Sequence, residues 1–201
     1  MLRSTYTATA TKLVLASTSA YRRSLLERFG LPFTVEGPHI DESRKPNEDA
    51  IELVHRLAKA KAEVIAARYP DSVVIGSDQV AVRGAVILGK PGSAEACIEQ
   101  LKQSSGQRVH FHTGVHVVTS QGQQHYAHVD TTTVTFRNLG SEEIERYVAK
   151  ERPFDCAGGF KVEGLGIALF ERVDSQDPTA LIGLPLVWLA ETLRQTGLAI
   201  P

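Results

Sequence analysis

The stretch Leu13-Val14-Leu15-Ala16-Ser17-Thr18-Ser19-Ala20-Tyr21-Arg22-Arg23 limits what the chain can fold into more than any other. A short apolar run of strand character enters three hydroxyl residues, and the pattern then switches to helical spacing with Leu25, Leu26 and Phe29 on one side. Ser19 can accept a bond from an orphaned helix N–H, and Gly30 with Pro32 beyond it supplies the stop. Arg22 and Arg23 stand in the first turn, where each exposed cation opposes the helix dipole at a cost of about 0.3–1 kcal/mol. Free N–H groups, hydroxyls and two guanidiniums at one helix start compose a site for a polyanion. A solvated basic turn is the alternative.

At 201 residues the chain can bury a real core as one large domain or two small ones. Lys+Arg number 22 against 23 Asp+Glu, so no global field draws it to nucleic acid or an anionic membrane, and any anion site is local. Only Cys97 and Cys156 occur, which argues against a disulfide scaffold and fits a reducing cytosol. No apolar run approaches the ~18 residues of a membrane span. The polar, Thr-rich start lacks the apolar core of a secretory signal and reads as an extension, residues 1–11, ahead of a single domain over 12–201. The expected location is cytoplasmic.

Residues 32–36 suit a short strand, and a polar loop with Asp41-Glu42 follows. Pro46-Asn47-Glu48-Asp49 opens a long helix with the stripe Ile51, Val54, Leu57, Ala58, Ala62 and Ile65. Helical phasing puts Lys61 inside that stripe, between Leu57 and Val54, and Lys59 well off it. A lysine on a buried face needs a partner or an anion, or it must snorkel out. Residues 72–82 read as a buried strand interrupted by Asp78. A carboxylate there should meet a cation, a metal or a substrate proton, or else serve a backbone amide. Arg83-Gly84 turns into residues 85–88, and Gly89-Lys90-Pro91 makes a tight bend, where a lone lysine means little. Ser93 caps a helix through Leu101, closed by Gly106.

The second half changes character. Residues 108–119 and 123–137 alternate as two strands joined at Ser120-Gln121-Gly122. His110, His112 and His116 share one strand face, but no Cys or carboxylate stands beside them at a zinc spacing, which favours exposed-face histidines over a metal cluster. Ser141 caps a short helix carrying Ile144, Tyr147 and Val148. Four glycines within residues 155–166 let the backbone approach something closely, although neither a dinucleotide fingerprint nor a P-loop is present. Cys156 in that run has no histidine near it in sequence to make it a nucleophile. A strand over 167–173 and a helix over 185–196 finish the chain.

The unusual residues form two sets: the cations Arg22, Arg23, Lys61 and Lys90, and the carboxylates Asp41, Glu42, Asp78 and Glu163. Cations suit a triphosphate. Carboxylates suit a divalent ion, since Mg²⁺ takes one or two of them plus substrate phosphates, and they suit the activation of water. The residues alone thus reach metal-assisted phosphoanhydride hydrolysis.

Eight motifs stand in order: Leu15-Ala-Ser-Thr-Ser-Ala-Tyr-Arg-Arg23, Asp41-Glu42, Ala58-Lys-Ala-Lys-Ala62, Gly76-Ser-Asp-Gln-Val80, Gly89-Lys-Pro91, Thr113-Gly114, Gly159-Phe-Lys-Val-Glu-Gly164 and Gly183-Leu-Pro-Leu186. Together they resemble the motif series of the Maf family of nucleoside triphosphate pyrophosphatases. Ala20 stands where the family more often has proline. The resemblance implies an α/β fold with an elongated mixed central sheet flanked by helices, like that of inosine triphosphatases, and a cleft between two lobes. It implies a homodimer, a divalent metal (Mg²⁺ or Mn²⁺), and cleavage between the α- and β-phosphates. By the same resemblance Asp78 is the catalytic base, Glu42 supports the metal or the water, and both would ligate the ion. Lys61 joins Ser17, Arg22, Arg23 and Lys90 in holding phosphates. Tyr21, Gln79 and Glu163 occupy the positions that separate the branches; dTTP/UTP enzymes tend to have arginine, threonine and glutamine there. This chain resembles the branch acting on 7-methyl-GTP. A nucleotide-binding septum regulator without turnover and an RNA- or cap-binding module are the competing classes; net charge and 6% aromatic content weigh against the latter.

Overall fold

The computed structural model describes residues 12–119 and 124–200. The initial extension and the Ser120-Gln121-Gly122 turn lie outside them. Strand β1 (Lys12–Ala16) runs parallel to β2 (Phe33–Val35) on one side and to β3 (Ser72–Arg83) on the other. The remaining pairings are antiparallel: β4 (Val86–Leu88) and β5 (Arg108–Val118) on β3, β6 (His125–Phe136) on β5, and β7 (Phe170–Asp174) on β6. The sheet order is β2-β1-β3-β5-β6-β7, with β4 beside the far end of β3. It is the elongated mixed sheet expected.

One discontinuity positions the site. Ala16, the end of β1, pairs with Gly76, whereas β4 begins to pair with β3 only at Ala81. Among the described residues, 77–80 therefore have a strand neighbour on the β5 side alone. A central strand has an open edge there, beside Asp78.

Five helices flank the sheet among the described residues: α1 (Ala20–Glu27), α2 (Ala50–Ala66), α3 (Ala94–Ser104), α4 (Ser141–Glu151) and α5 (Leu186–Gln195). Period-2 alternation divides the strands. Leu13, Leu15, Val73, Ile75, Val115 and Val117 pack with α1 and α5. Further along the sheet, Val109, Phe111, Val134 and Phe136 pack with α3 and α4. The opposite face belongs to α2, whose Ile65 meets Val14 and Val74. Asp49 and Glu52 form a reciprocal capping box that starts α2. Gly76 and Gly114 let it lie close: a Cβ would stand 2.3 Å from the Ala58 carbonyl oxygen at the first and 2.5 Å from that of Val54 at the second. Lys61, 5% exposed, is held over β3 as a result.

Some expectations are corrected. Ile51 is 48% exposed, and Leu53 is buried on α2 in its place. Helix α1 ends at Glu27, and Gly30 then turns the chain at φ 67°. Ser141 is the first residue of α4 and not its cap; Gly140 holds that position without a side-chain bond. Residues 165–169 form a 3₁₀ turn, so the last strand starts only at Phe170. No helix among the described residues is long and apolar enough to cross a membrane.

His116 is buried under α2, unlike the exposed histidine expected. Its Nε2 lies 3.0 Å from His125 Nδ1 on β6, His55 of α2 stands edge-on to its ring, and Lys59 adds a nearby charge. Glu63 of α2 faces His125 at 3.9 Å. Among the described residues, no group of three or more His, Cys, Asp or Glu is placed to hold a metal ion. Burial first, and then the charges of His125, His55 and Lys59, push His116 down from 6.5 to about 4. Between those values the unfolded chain binds the proton that the folded one refuses, so stability is complete above pH 6.5 and falls as pH drops toward 4. The His116 contribution to that loss should be about 2 kcal/mol at pH 5. Urea unfolding at pH 7 and pH 5, repeated with His116→Gln, checks it: the variant should show a flatter difference.

Candidate active site

The hydroxyl turn after β1 builds a cation socket. Ser19 caps α1 by accepting from the Arg22 amide, and Ser17 Oγ accepts from the Ser19 amide at 3.2 Å and from Arg22 Nη1 at 3.4 Å. Arg22 Nε donates to the Gly183 carbonyl at 2.9 Å, and Ser77 Oγ donates to the same oxygen at 2.9 Å. Burial pulls the Arg22 guanidinium below its ordinary value, against the opposing pull of Asp78 and Glu42. It is a desolvated cation with N–H donors to offer an anion beyond its bonds to Ser17 and Gly183. Arg23 is different. It is 63% exposed, bonds Glu27 one turn on, and lies beside Leu31 and Phe33, outside the cleft.

Lys61 and Asp78, which their phasing marked separately as needing partners, meet each other. Lys61 Nζ lies 2.7 Å from Asp78 Oδ1 and 2.8 Å from Glu42 Oε1, so one ammonium is held between two carboxylates. Lys59 stays outside on a surface pair with Glu63 at 3.7 Å. Glu42 is 57% exposed but its loop is clipped to α2. Arg56 bonds Glu48 twice and the Ser43 carbonyl once, and holds the Glu48 carboxyl down at about 2. Asp41 turns instead to the Ser43 amide. Two carboxylates already converging on one cation offer the oxygen donors that a hard divalent ion takes, with substrate phosphates completing its shell. Asp78 and Glu42 fit that group.

Ser17, Arg22, Glu42, Lys61, Asp78 and Lys90 line one cleft of about 700 Å³. The Lys90 bend is moored by Gly92, whose amide donates to the Phe154 carbonyl. The cleft opens into a recess of about 130 Å³ that contains Tyr21, Gln79 and Glu163, walled by Phe111, Phe160 and Leu181. Gln79 spends its amide nitrogen on Thr113 Oγ1 and on the Ala180 and Leu181 carbonyls at 2.9–3.1 Å. Those acceptors fix the amide orientation and leave Oε1 as the atom to offer a ligand. The Tyr21 hydroxyl is pushed up by burial, then by Cys156 and the charges of Asp155 and Glu163. Burial also pushes the Cys156 thiol up to about 11. That shift favours the thiol over the reactive thiolate.

Several site residues escaped the sequence reading. Asp155 and Ala157 line both cavities, and the Gly183 carbonyl, itself bonded by Ser77, anchors Arg22. Asp177 pins the loop that carries Gly183: its carboxylate accepts from Thr179 N and Oγ1 and from Val187 N. The Asp177-Pro178-Thr179 sequence was a turn signal that could have found it.

Comparison with known proteins gives the chain a family. Residues 12–196 match the family described as Maf-like protein. A protein of Aromatoleum aromaticum named 7-methyl-GTP pyrophosphatase is 53% identical over 190 residues, covering 94% of this chain and 98% of that one. One of Pseudomonas putida with the same name is 51% identical over 189 residues, with the same coverage. Among solved structures, the Staphylococcus aureus Ham1 protein aligns with a TM-score of 0.52 at 19% identity, over 92% of this chain and 99% of that one, a likeness of fold. With one family spanning both the socket and the recess, and relatives at half identity nearly end to end, the chain belongs to the Maf-like protein family.

Proposed function

We propose that this chain hydrolyses the α–β phosphoanhydride of a nucleoside triphosphate, 7-methyl-GTP before others, to the nucleoside monophosphate and pyrophosphate. The observation that carries the reading is the Asp78–Lys61–Glu42 contact in a cleft lined by Arg22 and Lys90, which opens into a carboxylate-bearing recess. Relatives named for this activity support it. Ser17, Arg22 and Lys90 hold the phosphates, and Lys61 extends its ammonium to them from between its carboxylates. Asp78 has Oδ1 engaged by Lys61, so its other oxygen takes the proton of the attacking water. The water oxygen bonds to the α-phosphorus, the bond to the bridging oxygen breaks, and pyrophosphate leaves. A divalent cation held by Asp78 and Glu42 would neutralise charge on the phosphates.

The recess decides the base. Guanine presents N1–H and the N2 amino group on one edge, and Glu163 is an acceptor-only group that can meet both. Gln79 Oε1 adds a third acceptor, whereas uracil and thymine bring only one N–H between carbonyls. N7-methylation makes guanine cationic, so stacking on Tyr21 adds roughly 0.5–2 kcal/mol. The reading includes a single domain over 12–201 with an extension before it, a homodimer and a cytoplasmic location; no nucleic acid or membrane takes part. Sedimentation tests the dimer.

Turnover of 7-methyl-GTP, GTP, UTP and dTTP at one fixed Mg²⁺ concentration tests the assignment. Glu163→Gln should lower kcat/KM for 7-methyl-GTP by about 2 kcal/mol, some thirtyfold, and penalise UTP far less. Equal depression of all four would remove Glu163 from base reading. Binding without turnover of any would leave the septum-regulator class standing, and dTTP or UTP as the best substrate would move the chain to the other branch.

A further inference from the structure

The phosphates need cations, and the recess beyond them brings carboxylates as well. Arg22 and Lys90, the cations at the recess, also line the cleft and so stand at its mouth. The residues that line the recess and not the cleft are apolar apart from Cys156 and Glu163. Asp155 lines both cavities, at the junction. Its Oδ1 lies 3.6 Å from the Cys156 sulfur, which in turn lies 3.7 Å from the Tyr21 hydroxyl. Asp155 and Glu163 line the recess together with Tyr21, and the charges of both raise the resistance of its phenol to ionisation.

We infer that Asp155 is a second specificity-determining carboxylate, which together with Glu163 gives the base recess a negative field selecting an N7-alkylated purine cation over its neutral parent. The inference rests on the proposed reaction and deepens it. Neutral guanine has no net charge for Asp155 to attract. The triphosphate is repelled by Asp155 equally in both ligands, so that cost cancels in their ratio. Glu163 works through directional bonds. Asp155 is exposed and works through charge, so its contribution fades with salt.

The experiment measures kcat/KM for 7-methyl-GTP and for GTP with the wild type, Asp155→Asn and Asp155→Glu, at low and high salt. It is run below neutral pH, where the alkylated base keeps its N1 proton. Asp155→Asn should lower the methylated-to-plain ratio about fivefold at low salt. Asp155→Glu should restore it, and high salt should bring the wild-type ratio toward that of Asp155→Asn. Competitive inhibition by 7-methyl-GMP against GMP should show the same ratio without turnover. An unchanged ratio, or equal loss on both substrates, overturns the inference and leaves the reaction standing. A wild type that cleaves neither nucleotide fails at the first measurement, and the proposed reaction falls with the inference.

Discussion

Asp78→Asn lowers turnover by at least about a hundredfold while nucleotide still binds, because a general base contributes about 10²–10⁴-fold. The substitution keeps the shape of the side chain and removes its basic oxygen. Lys61 retains Glu42 at 2.8 Å, so the ammonium is not stranded and the fold of the cleft survives. Single-turnover rates and nucleotide titration on the same preparation check both halves. Near-normal turnover would make Asp78 structural, a partner for Lys61 only, and pass the base role to Glu42.

Lys61→Met lowers kcat/KM by about a hundredfold, since a charge-assisted contact with phosphate is lost. It also leaves the buried Asp78 carboxylate without its ammonium, which costs about 1–3 kcal/mol of stability. Lys59→Met is the control two residues away. Its exposed pair with Glu63 is worth less than about 1 kcal/mol, and Lys59 does not line the cleft. Urea unfolding and kinetics on both variants separate the effects. Damage at Lys59 with Lys61 neutral would contradict the assignment of the two faces of α2.

Lys61 and Asp78 were legible in the sequence because each broke a local rule: a cation on an apolar helical stripe and a carboxylate in an apolar strand. Periodicity identified them one at a time, and the structure joined them at 2.7 Å. Arg22 and Arg23 looked alike as neighbours at one helix start. A helix turns about 100° per residue, so only one of them could face the cleft. Which one depended on Gly183, a carbonyl that lies 161 positions away in the chain. His116 was misplaced for a related reason: strand alternation puts it on one face with His110 and His112, but only α2 decides which part of that face is covered. Asp155 was passed over because an aspartate beside a glycine run reads as a loop residue. The open edge of β3 at 77–80 could not be read from periodicity, since it depends on where β1 and β4 stop pairing.

The most direct measurement follows the oxygen of the attacking water. Hydrolysis of 7-methyl-GTP in heavy-oxygen water, with the products weighed by mass spectrometry, reports which phosphorus is attacked. Attack at the α-phosphorus gives 7-methyl-GMP carrying the label and unlabelled pyrophosphate in equal amounts, both formed at least about a hundredfold more slowly by Asp78→Asn. Orthophosphate with the nucleoside diphosphate, or label in the pyrophosphate, would contradict it.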